Sequence, residues 1–498
     1  MKRRPNLLFV YTDEQAANTM AAYGNELIET PSMQRLASES VVFTNAFASQ
    51  AVCTPSRASI LTGLYPHATG CTENNLALPE EAKCLPELGD FSEYRTAHFG
   101  KWHLGDELFA QHGFHEWVSI RDGHRKYDRR GRDREAHSTY YHWLVEHGFE
   151  PQDSGDGFKV FPREFCARLP ERFSRPAYLG LEASRFIRQN KDRPFLLYVN
   201  FIEPHMPFFG PRDDQHDPEM VPLPTNFDAL PGEDQPLKLR LFAHYRRKHG
   251  ISGLPLATDS DWRRLIANYW GLCSLVDTYL GQIMDTLAEC GLEDNTIVVF
   301  TSDHGDMMGS HRLVAKCTQY QEAIQVPLTL RVPWLRRAPN CVTCPVSQVD
   351  LVPTLLDLLH QPVPAGLHGS SWRPYLEGDS PFPEEDVFIQ WNGPNNGMGD
   401  ILGQVSLPEP LLEIASREEA IASITDPVRS VVTPAGWKFN CSPLGEHELY
   451  NLNEDPGETR NLIRDSNLRS RVQDLHERIL AWQKRVQDPV DLSKCEFP

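Results

Sequence analysis

The chain has 498 residues, more than one compact core usually holds, so we expect a large domain followed by a smaller second unit. Its 68 acidic and 49 basic residues give a formal net charge of -19, which excludes the broad basic face of a nucleic-acid-binding protein. Any anionic ligand must therefore be met by locally clustered positive charge.

The first predicted element is a β-strand at residues 7–11. This apolar run is too short for the core of a signal peptide and leads directly to Asp13 and Glu14. The sequence contains no apolar stretch long enough to cross a bilayer and no lipidation signal. We therefore expect a cytoplasmic protein with neither a membrane nor a nucleic-acid partner, and the sequence leaves the oligomeric state open.

Five short apolar runs, typical of β-strands, each end at or shortly before a group of polar and ionisable residues. They are residues 7–11 before Asp13 and Glu14, 41–47 toward Cys53, 96–99 before Lys101 and His103, 195–202 before Glu203 and His205, and 296–300 before Asp303 and His304. Helical patterns between them, for example at 269–287 and 349–359, predict an α/β domain with a largely parallel sheet. Ligands bind outside the carboxyl ends of such strands, so we expect the polar groups to converge on one site.

The sequence changes character after about residue 380. Turn-rich sequence is followed by a predicted hairpin at 430–441 and a closing helix, whose apolar residues recur at helical spacing between 468 and 486. We expect residues 1–380 to form the large α/β domain and residues 381–498 a C-terminal α+β subdomain with a small antiparallel sheet.

Two polar stretches are each open to two interpretations. Residues 121–134 hold seven Lys or Arg against three Asp, and residues 390–396 combine Trp391 with amide side chains. Charge runs and turn clusters usually face solvent. The alternatives are a rim that holds an anionic polymer or closes a subunit contact for the first stretch, and a sugar contact for the second.

The most specific motif begins at Cys53, where residues 53–63 read CTPSRASILTG at the predicted start of a helix. Taken alone, Cys53 would be a small apolar residue before a helix with Pro55 in its first turn. The whole pattern resembles the signature of type I sulfatases, and residues 100–105 (GKWHLG) and 448–462 (ELYNLNEDPGETRNL) resemble further segments of that family. The resemblance implies an alkaline phosphatase-like sandwich, in which a large, mostly parallel sheet is flanked by helices and followed by the C-terminal subdomain.

The resemblance also implies a covalent modification. A formylglycine-generating enzyme would oxidise Cys53 after synthesis to formylglycine, whose hydrated aldehyde is the nucleophile of the family. A helix N-terminus and the guanidinium of Arg57 would favour negative charge at this position.

A metal site is predicted at Asp13, Glu14, Cys53, Asp303 and His304. Carboxylate oxygens suit Ca²⁺ or Mg²⁺ better than they suit a thiolate-binding metal. The resemblance implies one divalent ion, with calcium expected and magnesium or manganese as alternatives. Because the family commonly has two consecutive Asp residues where this chain has Asp13 and Glu14, the sequence leaves open whether Glu14 coordinates directly or leaves the place to Gln15 or water.

Four basic residues match further positions of the family: Lys101, His103, His205 and Lys316. Lys101 and His103 are two residues apart and would point the same way in an extended segment. The resemblance implies that Lys101 and Lys316 hold the sulfate oxygens, that His205 or Lys316 neutralises or protonates the leaving oxygen, and that His103 is the base that regenerates the aldehyde. Asn74 either reaches this site or is a turn residue.

These motifs predict a sulfatase that cleaves sulfate monoesters, with a sulfated carbohydrate or an aryl sulfate as substrate. The alternative within the same superfamily is a phosphonate monoester or phosphodiester hydrolase. The resemblance implies that those relatives lack the Lys and His of the GKWHLG segment, so Lys101 and His103 favour the sulfatase. The third interpretation, a non-catalytic anion-binding protein, applies if Cys53 is not oxidised.

Overall fold

The computed structural model describes residues 4–122, 133, 135–155, 157–335, 337–393 and 412–498. Most of the basic stretch at 121–134 and the second half of the stretch at 390–396 lie outside these residues. None of the helices within the described ranges is long and apolar enough to span a membrane.

The described residues form strands β1 (Asn6–Asp13), β2 (Val41–Phe43), β3 (Ala46–Phe47), β4 (Arg95–Gly100), β5 (Glu116–Val118), β6 (Gln152–Asp153), β7 (Lys159–Val160), β8 (Phe195–Pro204), β9 (Thr296–Ser302), β10 (Gln325–Val326), β11 (Leu328–Arg331), β12 (Cys341–Val342), β13 (Val346–Ser347), β14 (Val387–Gln390), β15 (Arg429–Val432), β16 (Trp437–Cys441) and β17 (Glu448–Asn451). The α-helices are α1 (Pro31–Ser38), α2 (Cys53–Thr62), α3 (Pro66–Thr69), α4 (Leu85–Leu88), α5 (Thr139–Glu146), α6 (Arg163–Ala167), α7 (Arg175–Gln189), α8 (Leu237–His249), α9 (Asp259–Glu289), α10 (Gln321–Ile324), α11 (Leu351–Leu358), α12 (Arg373–Leu376), α13 (Arg417–Thr425) and α14 (Arg469–Val486).

The central sheet has eight strands in the order β12-β2-β11-β9-β1-β8-β4-β5. β1 runs parallel to both of its neighbours, β8 and β9, and β4 runs parallel to β8 and β5. β11 is antiparallel to β9 and β2. The predicted α/β architecture with a largely parallel sheet is therefore confirmed, with one antiparallel strand inserted toward an edge.

Helices cover both faces of this sheet, as the alternation of side chains along β1 makes clear. Leu7 and Phe9 enter a core shared with α2 and α11, whereas Leu8 and Val10 enter a second core shared with α7 and α9. Successive residues of a strand face opposite sides, so a strand that is apolar throughout needs a packed layer on each face. This burial aligns the carboxyl ends of β1, β4, β8 and β9 along one edge.

The run at 41–47, predicted as one strand, is divided between two sheets. β2 joins the central sheet, and β3 pairs instead with β10 and β13 in a three-stranded sheet. The two pieces are separated by the polar residues Thr44 and Asn45, which form the turn between them. The chain changes sheets here and then enters α2 at Cys53.

The C-terminal part contains a four-stranded antiparallel sheet in the order β14-β15-β16-β17. Leu475, Ile479 and Trp482 of α14 pack in one core with Val431 of β15 and Phe439 of β16. The predicted hairpin and closing helix are both present in this part of the chain. The domain boundary near residue 380 stays a prediction.

A buried ion pair joins this sheet to its closing helix. Arg429, the first residue of β15, donates to both carboxylate oxygens of Asp488, just after α14, at 2.7 Å each. Their side chains are 1% and 0% exposed. Burial by itself raises the pKa of Asp488, but the bonds and charge of Arg429 outweigh it and lower the pKa.

We predict that Asp488→Asn lowers the free energy of unfolding by about 3–5 kcal/mol, because it leaves the Arg429 guanidinium buried without a counter-charge. The matched control is Asp386→Asn, whose partner Arg478 is 42% exposed. That variant should cost about 1 kcal/mol or less. Urea unfolding of both variants measures the difference, and equal losses would contradict the assignment.

Candidate active site

The ends of four neighbouring parallel strands meet the start of α2. The residues brought together are Asp13 and Glu14 after β1, Lys101 after β4, His205 after β8, Asp303 and His304 after β9, and Cys53 and Arg57 on α2. Lys316 joins them from the loop before α10. These residues are all buried or nearly so. The convergence expected from the strand-end pattern is therefore found in the structure.

Cys53 lies at the first position of α2, with a 1% exposed side chain. Its Sγ is 3.5 Å from Asp13 Oδ1 and 3.3 Å from His304 Nε2. Burial and the charge of Asp13 raise the pKa of the thiol, but Lys101, Lys316 and His304 outweigh them and lower it. The surroundings of position 53 therefore favour negative charge.

Arg57 connects the two carboxylates of the site to the sheet. Its guanidinium contacts Asp303 Oδ2 through Nε at 2.9 Å and Nη2 at 2.8 Å, and Asp13 Oδ2 through Nη2 at 3.1 Å. Nη1 donates to the Lys101 carbonyl oxygen at 2.9 Å and to Asn200 Oδ1 at 2.6 Å. The guanidinium is thus engaged with protein groups on all three nitrogens, which makes Arg57 a positioning residue.

The imidazole of His304 is oriented by its own loop. Nδ1 lies 2.9 Å from the Gly305 carbonyl oxygen, and Nε2 faces Cys53. Because a carbonyl oxygen only accepts hydrogen bonds, Nδ1 carries the proton of the imidazole. Asp303 Oδ1 accepts hydrogen bonds from the backbone N–H groups of Glu14 at 3.0 Å and His304 at 2.9 Å. Burial lowers the pKa of His304, but the charges of Asp303 and Cys53 outweigh it and raise the pKa to about 9.

Glu14 takes a different position from the other acids. Its Oε2 is 2.7 Å from Lys316 Nζ and 3.3 Å from His205 Nε2, and its Oε1 has no hydrogen-bond partner among the described residues. Burial raises the pKa of Glu14 to about 8, although Lys316 opposes the shift, and the nearby acid Asp306 adds to it. Glu14 therefore belongs to an adjoining group with Asp13 and His205, beside the group around Cys53.

The group around Cys53 fits a divalent cation. Asp13, Cys53, Asp303 and His304 each offer one ligand atom, and these atoms lie within 4.8 Å of one another. Two carboxylates and an imidazole suit a hard or intermediate cation, and an oxygen at position 53 would complete such a set. The Oε1 of the buried Glu14, which has no hydrogen-bond partner among the described residues, is a further carboxyl oxygen beside this site.

Three basic side chains face these acids. Lys101 Nζ contacts Asp13 Oδ2, and burial lowers the pKa of Lys101 despite that charge. The pKa of Lys316 shifts in the opposite direction. The charges of Cys53, Glu14 and Asp13 outweigh the effect of burial and raise it. Burial and Lys316 hold the pKa of His205 well below its usual value, so its imidazole is neutral.

The backbone around Lys101 and His103 differs from the extended segment predicted from their spacing. β4 ends at Gly100, whose φ of 111° brings it so close to the Asn200 carbonyl oxygen that a side chain would overlap it. His103 has a φ of 57°, in the left-handed region. The segment is therefore not extended at His103, so the spacing of two does not fix the relative direction of the two side chains.

His103 is held instead against the first turn of α2. Thr54 Oγ1 donates to its carbonyl oxygen at 2.8 Å, Glu107 Oε1 accepts from its N–H at 3.0 Å, and its Nε2 is 2.8 Å from Asn75 Oδ1. Asn74 Oδ1 accepts from the Thr54 N–H at 3.1 Å, which ties the same loop to the helix start. Asn74 therefore serves this site and is more than a turn residue.

Sequence reasoning missed several supporting residues. Asn200, which binds Arg57, had a signal, because a polar residue stands in the middle of the apolar run of β8. Asn75 followed the noted Asn74 but carried no signal of its own. Arg163 has its Nη1 3.5 Å from His205 Nδ1, and Asp306 lies beside Glu14; neither follows directly from a motif.

A family model for sulfatases matches residues 5–361 of the chain. The ulvan-active sulfatase of Formosa agariphila is 28% identical over 393 residues, which cover 78% of this chain and 68% of that protein. Such a match over most of the chain supports the motifs described above.

Two solved structures share the fold. The phosphonate monoester hydrolase from Silicibacter pomeroyi has a TM-score of 0.76 at 24% identity, covering 97% of this chain and 96% of that one. A protein solved with its substrate D-glucosamine-2-N,6-O-disulfate has a TM-score of 0.73 at 23% identity, covering 99% and 100%. The predicted alkaline phosphatase-like fold is confirmed. The chain belongs to the sulfatase family and is a sulfuric ester hydrolase of the alkaline phosphatase-like superfamily.

Proposed function

We propose that this sulfatase uses a formylglycine made from Cys53, together with one divalent cation, to cleave sulfate monoesters of carbohydrates. The observation that carries the proposal is the position of Cys53 Sγ, 3.5 Å from Asp13 Oδ1 and 3.3 Å from His304 Nε2 at the start of α2. A formylglycine-generating enzyme is the partner needed for maturation. Its product supplies a hydrated aldehyde as the nucleophile.

Asp13, Asp303, His304 and the modified residue 53 would hold the cation, with calcium proposed and magnesium or manganese as alternatives. When bound, the cation supplies positive charge that stabilises the negative charge developing on the sulfate oxygens and lowers the pKa of a hydroxyl ligand. Arg57 keeps both carboxylates in place through its contacts of 2.8 to 3.1 Å. Glu14 stands beside this set and binds Lys316 and His205.

Lys101 and Lys316 are proposed to bind the sulfate oxygens. Both Nζ atoms already face carboxylates, Asp13 and Glu14 respectively, and both lysines are at most 7% exposed. In a site closed to bulk water, fixed cations act strongly on charge that develops in the transition state. Their placement favours the monoanionic sulfate group over a neutral ester.

The leaving oxygen would meet Lys316 and His205 together. Lys316 Nζ and His205 Nε2 share Glu14 Oε2 as a partner, at 2.7 Å and 3.3 Å. The proton at Lys316 Nζ can pass to the departing alkoxide, and the neutral His205, whose Nδ1 lies 2.9 Å from the Met206 carbonyl oxygen, keeps Nε2 beside the same carboxylate oxygen. His103, fixed by Asn75 and Glu107, is proposed as the base that removes a proton from the remaining hydroxyl and so expels sulfate.

A sulfated carbohydrate is the proposed substrate class. Two similar proteins support this class. One relative is an ulvan-active sulfatase, and a protein of the same fold is solved with a disulfated glucosamine as its substrate. Lys101 and His103, which the family resemblance implies are absent from the phosphonate-cleaving relatives, are both present in this chain. An aryl sulfate serves as the chromogenic test substrate.

We predict that Cys53→Ser lowers kcat/KM on an aryl sulfate by about a thousandfold or more, because the nucleophile is lost. The control Cys341→Ser changes an exposed cysteine and should keep full activity. Mass spectrometry of the peptide containing residue 53 should find an aldehyde that resists thiol alkylation. An unmodified thiol in active protein from the native host would contradict the mechanism.

Removal of the metal gives a second expected outcome. Dialysis against a strong chelator should abolish sulfate release, and titration with Ca²⁺, Mg²⁺ and Mn²⁺ should restore it, most fully with Ca²⁺. Asp303→Asn should weaken metal-dependent recovery by about tenfold or more, whereas the exposed Asp294→Asn should recover like the parent. Full turnover by protein that elemental analysis finds free of metal would rule out the cation.

The choice between sulfate and phosphonate is tested by kinetics of the unaltered enzyme. We expect kcat/KM to be at least about tenfold higher for an aryl sulfate than for an aryl phosphonate monoester. Lys101→Ala should lower the sulfate value by about a hundredfold, because a fixed cation at the sulfate oxygens is lost. Lys494→Ala, at an 87% exposed side chain, is the control. A phosphonate preference would reverse the assignment.

A further inference from the structure

A second group of metal-binding side chains lies outside the active site. Cys84, Glu87 and His112 each offer one ligand atom, and these three atoms lie within 4.8 Å of one another. None of the three takes part in the chemistry proposed for sulfate cleavage. The group combines a thiol, a carboxylate and an imidazole, so its donor atoms differ from the two aspartates that stand beside Cys53.

Two segments of the chain bring these side chains together. Cys84 directly precedes α4 and Glu87 lies within it, whereas His112 belongs to the loop between β4 and β5. The loop turns sharply here, with a φ of 50° at His112 and 78° at Gly113. A Cβ atom at Gly113 would lie 2.8 Å from Glu87 Cγ, so glycine lets the loop come close enough to place His112 beside α4.

The carboxylate of Glu87 is held with one oxygen toward His112. Its Oε2 lies 3.3 Å from His112 Nδ1 and accepts a hydrogen bond from the Cys84 N–H at 3.0 Å. Its Oε1 lies 3.4 Å from Lys83 Nζ, on a side chain that is 50% exposed. The two oxygens are therefore divided between a surface cation and the interior of the group.

The spacing of the oxygen and the nitrogen suits a shared cation. Their separation of 3.3 Å is slightly longer than the usual range of about 2.7–3.2 Å for a hydrogen bond between nitrogen and oxygen. It agrees with the separation of about 3.3 Å between two ligands that each lie about 2.0–2.1 Å from one tetrahedral cation. The Cys84 N–H, which holds the same carboxylate oxygen, would orient it as a ligand.

The group is closed on one side and open on the other. Cys84 is fully buried, whereas the Glu87 side chain is 20% exposed and gives a cation a path to the thiol. Burial and the charge of Glu87 raise the pKa of the Cys84 thiol, so the thiol keeps its proton when no cation is bound. A bound divalent cation would replace this proton, which passes to solvent.

The donor set selects the kind of cation. A thiolate and an imidazole favour Zn²⁺, whereas Ca²⁺ and Mg²⁺ prefer oxygen ligands. Three protein ligands leave the fourth position of a tetrahedral zinc ion to water. The two groups of ligands in this chain therefore differ in the cation that each prefers.

We propose that Cys84, Glu87 and His112 form a zinc site with water as the fourth ligand. The protein ligands are the thiolate of Cys84, Oε2 of Glu87 and Nδ1 of His112, whose imidazole keeps its proton on Nε2. The inference goes beyond the proposed sulfatase function and does not depend on it.

The site adjoins the loop that carries Lys101 and His103. The ring of His112 stacks on Trp102, with ring centroids 5.7 Å apart and planes inclined by 28°. Trp102 is fully buried and stands between Lys101 and His103 in the chain. Zinc bound to His112 would fix the ring against which this loop packs, so we expect zinc to raise the melting temperature.

The first test measures zinc binding by the unaltered protein in excess Ca²⁺, which occupies the active site with the cation proposed there. Elemental analysis after gel filtration should find one zinc ion per chain. Cys53→Ser removes the thiol of the active site and should bind the same amount. Cys84→Ser should raise the dissociation constant for zinc by about a hundredfold or more, whereas Cys273→Ser, at an equally buried cysteine, should bind zinc like the parent.

The second test keeps every cysteine in place. His112→Asn should weaken zinc binding by about tenfold or more, and asparagine tolerates the left-handed backbone at this position. The matched control is His360→Asn, at an exposed histidine with a φ of 58°, which should bind zinc like the parent. Cobalt(II) in place of zinc should give a thiolate-to-metal charge-transfer absorption in the parent and in Cys53→Ser, and none in Cys84→Ser.

The outcomes separate this site from the catalytic one. Absence of zinc from the unaltered protein in excess Ca²⁺ would overturn the zinc site, as would equal zinc binding by the parent, Cys84→Ser and His112→Asn. A charge-transfer absorption that is lost in Cys53→Ser and kept in Cys84→Ser would assign the zinc to the active site instead. Failure to release sulfate from any substrate would overturn the proposed function and leave the zinc site standing.

Discussion

The contact on which the site depends is the buried guanidinium of Arg57 between Asp13 and Asp303. It lies 2.8 to 3.1 Å from both carboxylates and also binds the Lys101 carbonyl oxygen and Asn200. One side chain on α2 thereby fixes groups that follow β1, β4 and β9 and a residue within β8. Two buried carboxylates side by side repel each other, and the guanidinium between them offsets part of that repulsion.

Around this contact, cations and anions alternate. Lys101 faces Asp13, Lys316 and His205 face Glu14, and His304 faces Cys53 and Asp303. This alternation gives the acidic chain a local cluster of positive charge that can bind an anionic ester. A chain with a negative net charge needs such a cluster to bind an anion. The alternation also explains why neighbouring acids differ, since cations overcome burial and lower the pKa of Asp13, whereas burial prevails at Glu14 and raises its pKa to about 8.

Several parts of the site were beyond the reach of sequence patterns. The spacing of Lys101 and His103 suggested a common direction, but Gly100 ends β4 and a φ of 57° at His103 turns the chain away from the strand. Glu14 is one methylene longer than the Asp that the family commonly has, and the sequence left open whether it binds the metal directly. In the structure its carboxylate contacts Lys316 and His205. Arg163 belongs to no motif, because its relevance comes from its contact with His205.

The sequence by itself determined the α/β class, the polar groups at the strand ends and the position of Cys53 at the start of a helix. It could do so because strand and helix periodicities are local, and because parallel strands bring their carboxyl ends to one edge. Only the tertiary structure decided which charges meet. Arg57 binds Asn200 and Asp303, which are 143 and 246 residues away in the chain, and no local pattern specifies such a pairing. Packing of α2 against the edge of the sheet selects these partners, since a buried charge must find its counter-charge wherever the fold places one.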